Sequence, residues 1–374
     1  MKSFISEDDI EQAICNRLSQ PEYGWMRIEC DPSVEKQDDV GATSRSSVSE
    51  CILPEVLRKA LIRINPQVDK DIIDKIVSNY RRDYSGTDMI DTNYRLYNQL
   101  RNGIKVDTRK AHGDDFEIVK LIDFENPKNN DFHCVNQMWI KGHFRYRRPD
   151  VLLFVNGLPV VFIELKNSVV KMEEAYKKNL VSYRTDIPNI FALNQICVLS
   201  NGFYTKIGAW NSSFDYFFDW LRVDNEKEKV DRETIKNQGL SIKLLAEGLF
   251  KKERLLDYIE NFIFFDRKRT KIIAQNHQFI GVNNLIRSVT RREELKGKLG
   301  VFWHTQGSGK SYPRESEEEE MKKEQNVYLV YDLEQTEPEF SQYRWNSIRV
   351  KQRNGRQSAH PDWMTLTELM LLRE

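Results

Sequence analysis

Asp150, Glu164 and Lys166 bracket the longest apolar runs of the chain, in DVLLFVNGLPVVFIELK. Two carboxylates at the end of a sheet are costly unless they are paired or bind a metal. With a backbone carbonyl, that of Leu165, and water they form an all-oxygen site suited to Mg²⁺. Such an ion polarises a phosphodiester and lowers the pKa of a bound water. Lys166 would orient that water and stabilise the charge that develops. A plainer arrangement uses the same residues: Asp150 and Glu164 cap strand ends in water, and Lys166 pairs with one of them.

The elements around them must meet a parity condition. Asn156-Gly157 between two apolar runs signals a hairpin, and strands apolar on both faces suit the centre of a sheet. Glu164 and Lys166, two apart, share a face. If Asn156 and Gly157 alone form the loop, Asp150 falls opposite Ile163 and Glu164 points to the other face. A longer, odd-numbered loop or a bulge brings the two acids to one side. Leu158-Pro159 favours the longer loop, which we expect.

A second constellation lies near the C-terminal end. HTQGSGKS, from His304 to Ser311, resembles a Walker A loop with His304 in place of the first glycine. Gly307, Ser308 and Gly309 would present backbone N–H groups to phosphate. Lys310 would reach the β and γ phosphates, and Ser311 would hold Mg²⁺. The sequel is unusual. Pro313 and an acidic run from Glu317 to Glu320 follow, and 63 residues remain after Ser311. A motor lobe needs on the order of 150 residues. Asp332, after VYLVY, is the nearest Walker B candidate, at a very short spacing.

RRPDVLLFVNGLPVVFIELKN resembles the nuclease motif of the R (endonuclease/translocase) subunit of type I restriction enzymes, a branch of the PD-(D/E)xK nucleases. WHTQGSGKS is similar to that family's phosphate loop. The resemblance implies that Asp150 and Glu164 bind the metal and that Lys166 is the catalytic lysine. It implies that Tyr183, with Asn179 where the family often has Gln, forms a Gln-x-x-x-Tyr-type pair aimed at the nuclease centre. It implies that Gln278 contacts adenine and that Gly307, Ser308, Gly309, Lys310 and Ser311 bind ATP. The cofactors implied are Mg²⁺ and ATP. The partners implied are double-stranded DNA and the modification and specificity subunits of a type I restriction-modification complex.

The expected fold is α/β: a PD-(D/E)xK nuclease-like core, a mixed sheet flanked by helices, then the start of a RecA-like helicase domain. The expected domains are 1–225 for the nuclease, 226–311 for linker helices and the beginning of the ATPase, and 312–374 for an atypical tail expected to be poorly ordered. The resemblance is expected to cover residues 1–311, shortly past the Walker A motif. A frameshift near codon 312 is one origin for the tail. The expected activity is Mg-dependent cleavage of foreign double-stranded DNA with an incomplete ATP-dependent translocase. The competing expectations are an inactive remnant that only binds DNA or partner subunits, and an ATP-binding regulatory module.

Around these motifs, the spacing predicts helices in SEDDIEQAICNRL, capped by Ser6, in ILPEVLRKALIRIN, in DKDIIDKIVSNYRRDY and over 172–183. Strands are expected in FEIVKLIDF, FHCVNQMWI, 190–199 and 203–207. Asn225–Asp231 reads as a linker. The 374 residues carry 57 Lys+Arg and 57 Asp+Glu, so a nucleic-acid role needs local basic patches. KGHFRYRR, from Lys141 to Arg148, is the best of three such patches. Five scattered cysteines fit a reducing cytoplasm. The six histidines lack zinc-ligand spacing. The apolar runs fall short of the roughly 20 residues of a membrane span.

Overall fold

The computed structural model describes residues 5–31, 33, 40–107, 116–225, 227–237, 241–291 and 294. Ser6 caps helix α1 (Glu7–Leu18): its hydroxyl accepts from Asp9 N at 3.1 Å, and the Asp9 carboxylate accepts from Ser6 N at 3.1 Å. This reciprocal box satisfies two donors that a helix start leaves open. The stripe Ile10, Ile14 and Leu18 is buried as the spacing predicts.

The N-terminal region is not wholly helical. Strand β1 (Met26–Glu29) lies at one edge of the main sheet. Its short, partly exposed MRIE carries no clear alternation, so the sequence gives little sign of it. Helices α2 (Pro54–Ile64), α3 (Lys70–Tyr80) and α4 (Met89–Asn102) follow. Pro54 sits in the first turn of α2, where a missing N–H costs nothing.

After the small pair β2 (Ile104–Val106) and β3 (Glu117–Val119) comes β4 (Phe132–Asn136). A short ribbon of β5 (Ile140–Lys141) and β6 (Tyr146–Arg147) leads into the hairpin β7 (Val151–Val155) and β8 (Leu158–Leu165). Every residue of β7 and β8 is buried, as expected for strands apolar on both faces.

The segment expected to be one helix is helical without a break from Met172 to Asp186 but changes hydrogen-bond pattern inside: α5 (Met172–Ala175), a π turn over Tyr176–Leu180, and α6 (Val181–Asp186). The strand expected over 190–199 is shorter. Pro188–Ala192 forms a 3₁₀ turn, and β9 (Ile196–Ser200) begins only after Asn194 and Gln195 have turned their side chains onto nearby backbone carbonyls. β10 (Thr205–Gly208) and β11 (Phe218–Asp219) complete a seven-stranded sheet in the order β1-β4-β7-β8-β9-β10-β11. β1 and β4 are parallel, β8 and β9 are parallel, and the other neighbours are antiparallel. The sheet is therefore mixed. On one face, Leu152, Phe154, Phe162, Cys197 and Leu199 pack with Leu180, Tyr183 and Ile190. α1 packs against β4 and β8.

The chain divides into two units after His277, and the described residues up to there form one compact body. Within the first, α7 (Arg232–Asn237), α8 (Ser241–Leu249), α9 (Lys252–Asn261) and the hairpin β12 (Ile263–Asp266)–β13 (Thr270–Ile273) continue the same body. Trp25 Nε1 donates to Phe250 O at 2.9 Å, and Tyr97 Oη donates to Ile259 O at 3.0 Å. The charged stretch 225–231 is thus a surface loop inside this unit. The Glu228 carboxylate accepts from Val223 N and Asp224 N at 2.8 Å each and from Asn225 N at 2.7 Å. In the second unit the described residues are 278–291 and 294, which carry most of α10 (Asn276–Thr290). All five cysteines are buried, and none is in a disulfide. No helix among the described residues is long and apolar enough to cross a membrane.

Candidate functional site

The hairpin turn is Asn156-Gly157, with φ of 50° and 78°. Val155 pairs with Leu158, and Phe154 pairs with Pro159. The longer loop expected from Leu158-Pro159 is absent: Asn and Gly both tolerate positive φ, so two residues suffice for the turn. The register then shifts, and Leu153 pairs with Val161. Val160 is the extra residue of a β-bulge, and its carbonyl accepts from Gln195 N at 2.7 Å. Pro159 beside it cannot donate to the ladder. Beyond the bulge Val151 pairs with Ile163, so the next pair outward is Asp150 with Glu164. Parity is restored by the bulge rather than by the loop.

The two acids meet at the start of β7 and the end of β8. Leu165 N donates to Asp150 Oδ2 at 2.6 Å. Glu164 is 1% exposed, and its Oε2 is buried with no hydrogen-bond partner. Its Oε1 accepts from Lys166 Nζ at 2.8 Å and from Asn179 Nδ2. Lys166 Nζ also donates to Leu165 O at 2.5 Å. Tyr183 lies within reach of Glu164, but its hydroxyl donates to Arg148 O at 3.2 Å, and its ring packs edge-on to Phe162. The structure thus brings Asp150, Glu164, Lys166 and Tyr183 together, and Asn179 with them.

Electrostatics follow from burial. Desolvation raises the proton affinity of Asp150 well above the ordinary carboxylate range, and the Glu164 charge raises it further. Desolvation also raises Glu164, against the lowering effect of Lys166, Asn179 and Tyr183. Burial alone would lower Lys166, but Glu164, Asp150 and Glu7 outweigh it and hold the ammonium charged. Two carboxylates and one oxygen without a partner are donors of the kind a hard cation takes. Among the described residues no group of three or more His, Cys, Asp or Glu side chains is arranged to hold a metal, so an ion here would have Asp150 and Glu164 as its side-chain ligands and would need carbonyl or water oxygens besides. Lys166 holds Glu164 Oε1 and the Leu165 carbonyl, two oxygens of that same set.

Two features escape the sequence. Glu7 Oε2, in the first turn of α1, lies 3.7 Å from Lys166 Nζ, although the two residues are 159 positions apart with no pattern to link them. The acidic first turn of α1 was visible, but only as helix capping. The π turn likewise has no sequence signature, yet it carries the Asn179 that reaches Glu164. Gln278 lies in α10. His304, Gly307, Ser308, Gly309, Lys310, Ser311 and the tail lie outside the described residues.

Residues 4–215 match the family described as "Type I restriction enzyme R protein N terminus". The chain belongs to the type I restriction enzyme R protein family. Residues 277–354 match the description "SWI2/SNF2 ATPase", a range that takes in HTQGSGKS and runs past Ser311, so the resemblance does not stop at residue 311 as the sequence composition led us to expect. The type I restriction enzyme HindI endonuclease subunit of Haemophilus influenzae is 35% identical over 318 residues, covering 82% of this chain and 29% of that protein. The type I restriction enzyme SauCOLORF180P endonuclease subunit of Staphylococcus aureus is 26% identical over 249 residues, covering 63% of this chain and 25% of that protein. This member of the family thus spans about three tenths of the length of the curated relatives it matches. Its resemblance is to the N-terminal part of the R subunit.

Proposed function

We propose that residues around Asp150 form a Mg²⁺-dependent PD-(D/E)xK-type endonuclease centre acting on double-stranded DNA in a type I restriction system. The observation that carries this is the bulge at Val160, which sets Asp150 opposite Glu164 with Lys166 and Asn179 on the same centre. Asp150 and Glu164, with the Leu165 carbonyl, would hold the metal. When bound, the metal supplies Lewis-acid polarisation of the phosphodiester and an acidified water.

The chain's own groups do the rest. Lys166 leaves Glu164 to orient the attacking water and to meet the negative charge that builds on the phosphate. Asn179 keeps the Glu164 carboxylate in one rotamer. Tyr183, through the Arg148 carbonyl, holds the backbone just ahead of Asp150. Gly307, Ser308, Gly309, Lys310 and Ser311 would bind ATP, with Gln278 on the adenine, as the start of a RecA-like translocase; the pattern of residues and the match to an ATPase support this reading. The modification and specificity subunits would be the partners, and the cytoplasm the place of action.

Plasmid nicking in Mg²⁺, with and without ATP and the partner subunits, tests the centre. Wild type should nick, while Asp150→Ala and Lys166→Ala should lose about 10³-fold or more, the scale on which removing a main transition-state contact acts. Mn²⁺ binding to the DNA-free protein, followed by electron paramagnetic resonance, should be lost in Asp150→Ala. Nicking that persists in both variants would falsify the assignment. Silence of the wild type in every condition would favour a non-catalytic form that only docks to DNA or its partners.

A further inference from the structure

The β5–β6 ribbon ends in an exposed aromatic. Phe144 is 98% exposed, at the tip between Lys141 and Tyr146. A lone surface aromatic usually needs no explanation. This one has the His143 ring beside it, centroids 6.2 Å apart, and stands on a hairpin held at several points. Ile140 is buried in the main core. Lys141 N donates to Val48 O at 3.0 Å, and Gly142 N closes the tip onto Arg145 O at 2.9 Å. A Cβ on Gly142 would lie 1.7 Å from the Asp186 carbonyl oxygen, so only glycine allows the ribbon to sit this close to the end of α6. Arg147 Nε donates to Asp186 Oδ2 at 2.7 Å, and Ser85 Oγ contacts His143 Nε2 at 3.1 Å.

The surroundings of the ring are cationic. Lys141, Arg145 and Arg148 are exposed, and the Arg148 guanidinium lies 5.5 Å from the centre of the Trp139 ring. The Asp186 carboxylate pairs closely with Arg147 and lies 3.9 Å from Arg145 Nε, whose side chain stays 68% exposed. The ribbon then runs through Arg148 and buried Pro149 straight into Asp150. Phe144 and Asp150 are six positions apart in the chain, which bounds their separation at about 22 Å. That is well within one turn of duplex, about 34 Å.

We propose that this ribbon is a DNA-engaging arm, with Phe144 as an apolar wedge placed at a base step beside the scissile phosphate and Arg145 on the neighbouring backbone. The proposal rests on the nuclease reading of Asp150 and Glu164, which names the substrate but no contact to it. Cations alone would describe a phosphate-binding edge. A rigidly presented phenyl ring among them fits a groove binder that unstacks a step and kinks the duplex. The pinned base gives the ring the stiffness such insertion needs.

Binding of a short end-labelled duplex to the full chain, in EDTA so that no cleavage occurs, tests the arm. Anisotropy gives affinity and its salt slope, and energy transfer between the duplex ends gives bending. Phe144→Ala should weaken binding about tenfold with an unchanged salt slope and should abolish bending; Phe144→Trp should restore both. Arg145→Ala should lower the slope by about one phosphate contact. Because Phe144 is almost wholly exposed, its replacement leaves the fold intact. Equal affinity and equal bending in wild type and Phe144→Ala would overturn the proposal and assign the ring to a protein partner. A wild-type chain that binds no duplex also overturns it, whereas the metal centre is judged separately by Mn²⁺ binding without DNA.

Discussion

Asp150 stands opposite Glu164 across β7 and β8, and Val160 is what puts it there. Without that one extra residue, Glu164 would face the opposite side of the sheet. The pairing joins two acids that burial already strains, and the strain is what a bound cation would relieve.

That strain should be measurable as stability. The folded protein holds protons on Asp150 and Glu164 more tightly than the unfolded chain does, because desolvation raises both. Between the ordinary carboxylate range and the raised values, the native state therefore binds more protons, and stability falls as pH rises. Asp150→Asn removes one of the two acids and keeps an acceptor for Leu165 N. At pH 7 the metal-free variant should be more stable than wild type, the difference shrinking towards pH 4. Urea titrations at both pH values check this, and equal midpoints at pH 7 would refute it.

Asn179 should matter to activity more than to folding. Its amide donates to Glu164 Oε1. Groups that orient a metal-binding residue typically contribute 10–100-fold, so Asn179→Ala should lower nicking and Mn²⁺ affinity by about that factor. Asn179→Gln, which keeps the donor, should recover most of it. A thermal unfolding curve that matches wild type, with unchanged Mn²⁺ affinity, would count against the role.

The hairpin turn is under steric control. Gly157 has φ +78°, and a Cβ there would lie 2.4 Å from Leu53 O, whose own amide donates to Gly157 O at 2.8 Å. Gly157→Ala should lose about 1–3 kcal/mol in denaturant unfolding. A loss under about 0.5 kcal/mol would mean that α2 can move away from the turn.

Lys271 ties β13 to the sheet unit. It is fully buried, and its Nζ donates to Asn194 O at 2.6 Å, Gln195 Oε1 at 2.7 Å and Asn93 Oδ1 at 3.1 Å. Lys271→Met leaves those oxygens without this donor and should cost about 2–4 kcal/mol. Burial lowers the proton affinity of Lys271, while three acceptors call for all three hydrogens of an ammonium. Urea titration at neutral pH checks the loss, and a difference under about 0.5 kcal/mol would mean that the three oxygens find other donors.

Local chemistry made much of the protein legible. The helix cap at Ser6, the periodic stripes of α1, α2 and α3, the two buried strands and their Asn-Gly turn all follow from interactions between residues near in sequence. The long apolar pattern also singled out Asp150, Glu164 and Lys166, which the fold brings together. The failures share one cause. Pro159 pointed to a longer loop, but the strand pairing absorbed the extra residue as a bulge at Val160, where Gln195 from a distant segment takes up its carbonyl.

The amino-acid sequence by itself determined which groups could carry charge and which runs must be buried, because those depend on side-chain chemistry and period alone. Only the tertiary structure decided which face each group meets. Glu7 reaches Lys166, Asn179 reaches Glu164 through a π turn, and Phe144 stands clear on a ribbon pinned to Asp186, because packing between segments far apart in the chain sets those distances.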